Sequence, residues 1–179
     1  MKSNFTTFAK KQRGLSLVEI MVGLGIVAAI IVGVLSLASG ASSSQKTQQA
    51  TSDLISARAA VQQLGYQTGT YGTGSLNEVL INSGRLPSTL RVSGTNLTHS
   101  FNGAFTITGA GTFFHIQLES IPKDACIGLL TSVAGFDGYS VGTTAPTTVS
   151  ATYAFPTGLA DANTRCAHDT DNSIFFTAR

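Results

Sequence analysis

The chain has no tryptophan and little charge: Asp, Glu, Lys and Arg together make up only 11% of its 179 residues. Four of its eleven cations (Lys2, Lys10, Lys11 and Arg13) fall in the first fourteen residues, a stretch without a single acid. The other 165 residues carry seven Lys and Arg against nine Asp and Glu, so the pI of about 8.7 describes the N-terminus alone. It is therefore no evidence for a nucleic-acid footprint, which needs a basic patch in the folded domain. Cysteine is sparse, with only Cys126 and Cys166, no C-x-x-C pair and therefore no metal spacing. The three histidines, His99, His115 and His168, are scattered. By strand parity His115 faces solvent, which speaks against a ligand role. There is no G-x-S-x-G and no Cys–His pairing, and the Gly-rich stretch 69–74 lacks the strand–turn–helix context of a phosphate site. His168-Asp-Thr-Asp-Asn172 has oxygen donors at suggestive spacing but lacks the Gly and distant Glu of an EF-hand, so a polar turn is expected. Catalysis, a metal centre and a bound cofactor are all without support.

What the sequence does have lies at its start. A basic stretch ends in Lys10-Lys-Gln-Arg-Gly14, and an apolar run follows from Leu15 to Ala38, broken only by Ser16, Glu19 and Ser36. At about 1.5 Å per residue this run is long enough to cross a hydrocarbon core of about 30 Å. The flanking cations are expected to stay cytoplasmic, which sends the C-terminal domain outward. Export agrees with a disulfide between the two cysteines, because the periplasm is oxidising.

Glu19 does not suit an ordinary span. A carboxylate at the bilayer centre costs about 2.5–3.5 kcal/mol on insertion scales. It lies about 6 Å from the start of the run at about 1.5 Å per residue, so it can reach the interface. On position alone, a tolerated interfacial acid and a functional one remain open. A secretory signal peptide cleaved near Ala38-Ser39-Gly40 is also open, although the run exceeds the usual length and the helical pattern continues past it.

Gly14-Leu15-Ser16-Leu17-Val18-Glu19 resembles the processing site of type IV prepilins: a Gly ending a basic leader, an apolar residue, and Glu four positions on. The resemblance implies a peptidase cut after Gly14, a mature terminus at Leu15 whose amine is usually methylated, and Glu19 as an assembly residue. The fourteen-residue leader and Leu at the mature start are similar to the type IVb subclass of toxin-coregulated, bundle-forming and conjugative thin-pilus pilins. Phe114–Val133 resembles the strand-then-helix segment bearing the first disulfide cysteine there, and Ser75–Ser88 is similar to the thin pilins. The partners so implied are the prepilin peptidase, further copies of the chain, the pilus assembly machinery and the inner membrane before assembly. The implied location is the inner membrane with the head in the periplasm, and then the extracellular pilus. No enzyme activity, cofactor or nucleic-acid partner is expected. The remaining readings are a minor pilin, a type II secretion pseudopilin, or a secreted soluble binding or enzymatic domain freed near Gly40.

The expected architecture is α+β: a pilin-like long helix packed on an antiparallel sheet. Its segments are a leader at 1–14, a transmembrane and polymerisation helix at 15–40, the outer half of the long helix at 41–64 and a periplasmic head at 65–179. Ala50, Leu54, Ala57, Val61 and Leu64 form an apolar stripe, with Gly65 as a helix stop. Ser75-x-x-Glu78 reads as a capping box opening a short helix with Leu76, Val79 and Leu80 on one face. Phe105 and Ile107, then Phe114, Ile116 and Leu118, alternate with polar residues as half-buried strands. Pro122 suits a first helical position, ahead of a face made by Ile127, Leu130 and Ala134. Later strands are expected at 148–155 and 173–177. Cys126 and Cys166 enclose 41 residues counting both ends. Closing such a loop is worth about 4 kcal/mol in the chain-entropy model.

Overall fold

The computed structural model describes residues 16–149 and 152–179, so Gly14, Leu15 and the leader lie outside the described residues. The chain divides into two compact units, Met1–Ala41 and Ser42–Arg179. Helix α1, Leu17–Thr68, contributes to both.

The second unit is built on the outer part of α1. Ala50, Leu54, Ala57 and Val61 recur at steps of four and three and are all buried, with Leu64 packed at the edge of the same core. This stripe is therefore the helix face that the sheet covers. Two corrections apply to its end. The helix does not stop at Gly65 but continues to Thr68, and Gly69 at φ +69° is the residue that leaves it. Gly65 serves packing instead, since a Cβ there would lie 2.2 Å from the Tyr71 ring.

Among the described residues the sheet has seven antiparallel strands: β1 Thr73–Ser75, β2 Arg91–Ser93, β3 Asn96–Thr98, β4 Ala104–Ala110, β5 Phe114–Ile121, β6 Gly138–Val141 and β7 Asn172–Ala178. Their order is β2-β3-β4-β5-β7-β6, with β1 paired to β4 outside that path. Phe105 and Ile107 on β4 and Phe114, Ile116 and Leu118 on β5 are fully buried, as their alternation predicts. Phe105 stands opposite Leu118 and Ile107 opposite Ile116, so these pairs form the centre of the core.

His115 corrects the parity argument. It lies on the opposite face of β5 yet is only 5% exposed, between the rings of Phe113 and Phe175 at 6.3 and 5.8 Å. Alternation tells which residues share a face but not whether that face meets water, and here its β7 neighbours Phe175 and Thr177 are buried too.

Among the described residues three short α-helices complete the unit: α2 Asn77–Asn82, α3 Lys123–Ser132 and α4 Leu159–Arg165. The capping box at Ser75 does not form. Ser75 ends β1, the cap position is Leu76 without a side-chain cap bond, and Val79 is 53% exposed. Pro122 precedes α3 as its cap residue rather than opening it. The buried face of α3 is Ala125, Cys126, Leu129 and Leu130, while Ala134 lies beyond the helix and is exposed. Residues 173–177 are in a strand as expected. The expected strand at 148–155 is reduced, among its described residues, to one bridge from Tyr153 to Tyr139.

Candidate functional site

In the first unit, Leu17–Val34 is long and apolar enough to cross a membrane. Its large side chains are exposed all round the helix, from 49% at Ile20 to 71% at Leu17. A soluble surface helix keeps a polar face, and this segment has none. Side chains of this kind are stable only against lipid or other apolar helices. A Cβ added at Gly23, Gly25 or Gly33 would meet nothing within 4 Å, so these positions are open to close approach by another helix.

Glu19 is placed in the first turn of this helix. Ser16 O accepts from the backbone N–H of Glu19 at 2.9 Å and of Ile20 at 3.2 Å, which starts the helix. A carboxylate there is favoured by the positive end of the helix dipole. Within 17–34 it is the single ionisable side chain, and it is exposed. The geometry provides an anion at the head of an otherwise apolar rod, able to accept one cation.

In the second unit Cys126 and Cys166 form the disulfide, with Cα atoms 6.0 Å apart. It ties α3 to the end of α4, and both cysteines are fully buried. The turn at 168–172 is held by Asn172. Its Oδ1 accepts from the His168 N–H at 3.1 Å, and its Nδ2 donates to Ile121 O at 3.0 Å and to His168 O at 2.5 Å.

Sequence reasoning missed three buried polar residues. Asn77 accepts the Ile107 N–H at 2.9 Å and donates to Thr95 O and Phe105 O, locking α2 to β4. Asp53 is buried on α1, where the Thr89 hydroxyl donates to one of its oxygens. Burial pushes the Asp53 carboxyl above its ordinary range, against the lowering effect of that bond. His99 accepts the Phe101 N–H on Nδ1 at 3.2 Å, so its Nε2–H donates to Glu119 O at 2.9 Å. Each sits in a locally polar context, and only the tertiary packing reveals that it is buried.

Burial lowers the pKa of both His99 and His115 below the ordinary imidazole value; nearby Arg91 adds to this at His99, and the bond to Glu119 opposes it. A histidine with a lowered folded pKa is disfavoured as the cation. Its share of stability is therefore complete above the unfolded value of about 6.5 and is lost as pH falls below it. Asp53 has the opposite sign, because a raised carboxyl pKa relieves strain on acidification. The thermal midpoint is expected to fall between about pH 7.5 and pH 5, and His115→Phe should flatten that slope. Thermal unfolding of both proteins at the two pH values checks this; an equal slope in the variant removes His115 from the effect.

Comparisons with known proteins bear on both units. A family model described as PilS N terminal matches residues 35–179. Another, described as the prokaryotic N-terminal methylation motif, matches residues 9–35. The major structural subunit of bundle-forming pilus from Escherichia coli O127:H6 (strain E2348/69 / EPEC) is 30% identical over 139 residues, covering 74% of this chain and 72% of that protein. The protein of the same description from Escherichia coli O111:H- matches to the same extent. Among solved structures, TcpA, a type IV pilin from Vibrio cholerae El Tor biotype, superposes with a TM-score of 0.56 at 18% identity, covering 75% of this chain and 99% of that one. That likeness shows a shared fold.

Proposed function

The chain belongs to the type IVb pilins, and on that premise we propose that it is the structural subunit of a surface filament, cut by prepilin peptidase after Gly14 and polymerised through its N-terminal helix. The methylation motif at 9–35 carries this reading, because it puts a processing signature next to an apolar rod exposed on every side. Residues 1–14 are the leader, 15–40 the membrane and polymerisation segment, 41–64 the outer half of the helix and 65–179 the head.

Before assembly the apolar segment holds the subunit in the inner membrane, and the cations of the leader favour a periplasmic head. Cleavage removes those cations and leaves an α-amine at Leu15, the usual position for methylation in the family. In the filament, apolar helices replace lipid contacts with one another. The amine of one subunit then meets Glu19 of its neighbour. At low effective dielectric such a pair attracts far more strongly than in water, and one pairing sets the register between subunits. The role is structural, with no catalytic step and no cofactor. The filament serves conjugation, adhesion or aggregation through its exposed head surfaces.

Gly14→Val tests the processing step. A branched side chain at the cut site should leave the uncleaved precursor in the membrane fraction, seen as a protein longer by fourteen residues on immunoblots. Efficient maturation of the variant would remove the peptidase assignment.

A further inference from the structure

We infer that the heads of neighbouring copies join by a knob and a hollow: Leu159 of one copy seats in an apolar groove between α1 and α2 of the next. The inference rests on the filament reading above and adds to it a contact between heads. The groove lies wholly within the second unit and has a volume of about 310 Å³. Among the described residues its apolar lining comes from Val61, Leu64, Tyr71, Leu76, Val79 and Leu80. Its walls are fixed by the fold of a single copy. The Tyr71 ring sits over Gly65 and packs edge-to-face with Phe114, with ring centroids 4.8 Å apart. The Tyr71 N–H donates to Gly111 O at 2.8 Å, and the Leu76 N–H to Ile107 O at 2.8 Å. Val79 is nevertheless left half-exposed, which is apolar surface that a partner removes from water.

The knob opens α4. Leu159 is 70% exposed, more than any other large apolar side chain described in the second unit. It does not line the groove of its own chain. Asn77 holds α2 to β4, whereas the disulfide holds α4 to α3, so knob and hollow belong to different parts of the head. That arrangement suits an open filament. A contact between unlike patches can repeat from copy to copy, whereas a contact between like patches stops at a pair. Charge favours the same occupant. Residues 76–102 carry Arg85 and Arg91 against Glu78, and residues 159–171 carry Asp161, Asp169 and Asp171 against Arg165. Arg85 donates to Gln63, which holds its charge at the junction of α2 with α1. Arg165 instead lies over the Tyr153 ring, its guanidinium carbon 3.2 Å from the centroid. The chain about the groove is thus weakly cationic and the chain about Leu159 weakly anionic, which favours this pairing over like with like.

The test places Val79→Cys and Leu159→Cys, singly and together, in the full-length chain. Sheared filaments are treated with a short bis-maleimide and run on denaturing gels. The double variant is expected to give a ladder of linked copies, while each single variant stays monomeric. Leu159→Ser should lower the sheared yield by about tenfold or more, with unchanged mature length and thermal midpoint. Leu159→Met should keep the natural yield. Filaments of the double variant without a ladder overturn the contact and leave the filament reading standing. A linked dimer from Leu159→Cys alone also overturns it, because like would then meet like, and so does a natural yield from Leu159→Ser. If the natural chain gives no sheared filament at all, the filament reading falls and takes this contact with it. Should the double variant fail to assemble, the two single variants expressed together and Leu159→Ser decide the matter.

Discussion

Glu19→Gln is expected to abolish surface filaments while the protein still inserts and is still cleaved. The substitution keeps shape and volume and removes only the charge. In the precursor nothing depends on it, since Leu17–Val34 remains apolar enough to span a membrane. Assembly is different. In the proposed assembly the α-amine at Leu15 enters a packed, water-poor bundle of apolar helices and needs an anion beside it. Leaving one charge of a buried pair alone costs about 3–5 kcal/mol, or about two to nearly four powers of ten in each association constant. A polymer makes this contact at every subunit, so its critical concentration rises by the same factor. The yield of sheared filament should drop below detection, with mature-length protein accumulating in the membrane. A normal yield from Glu19→Gln would sink the pairing.

The second large effect is expected from Cys166→Ser. Cys126 and Cys166 tie α3 to the end of α4, and both sulfurs are fully buried in the core. Breaking the link frees a loop with a sequence separation of 40, worth about 4 kcal/mol in the chain-entropy model. It also leaves an unpaired thiol and a hydroxyl in an apolar site. For a domain of this size the thermal midpoint should fall by about 10 °C or more. Within 143–165 the loop ahead of α4 should become the first site of proteolysis, because among its described residues it is otherwise fastened by the bridge at Tyr153 and the ring contacts of Tyr153 and Phe155, while α4 keeps its buried Ala162. Limited proteolysis with mass mapping reads this directly. An unchanged midpoint would show that α3 and α4 are held by packing alone.

Much of this architecture was legible because its signals are local. The stripe Ala50, Leu54, Ala57, Val61 repeats at helical spacing, and its burial needs nothing more than that period to explain it. Phe105, Ile107, Phe114, Ile116 and Leu118 alternate at strand spacing and pair across β4 and β5. The N-terminal motif was legible for another reason: Glu19 is conspicuous because everything around it is apolar. What failed was long-range. His115 has the right parity for a solvated face, but Phe175 and Thr177 arrive from β7, sixty residues later in the chain, and bury it. Gly65 looks like a stop until Tyr71 is seen to fold back over it. Strand β6 is four residues long and half glycine and polar, so its place beside β7 comes from the sheet and not from its own sequence. Asp53 and Asn77 were missed because polar residues on helices read as surface. Their partners, Thr89 and Ile107, lie 36 and 30 positions away.

Processing after Gly14 and polymerisation through the apolar segment from Leu15 onward are tested most directly by one measurement. It is the intact mass and N-terminal sequence of protein sheared from the cell surface. A start at Leu15, with one extra methyl on the amine, is the expected result. A start near Ala41 in a soluble fraction would contradict it, because the apolar helix would then have been discarded as a signal and the head would work alone.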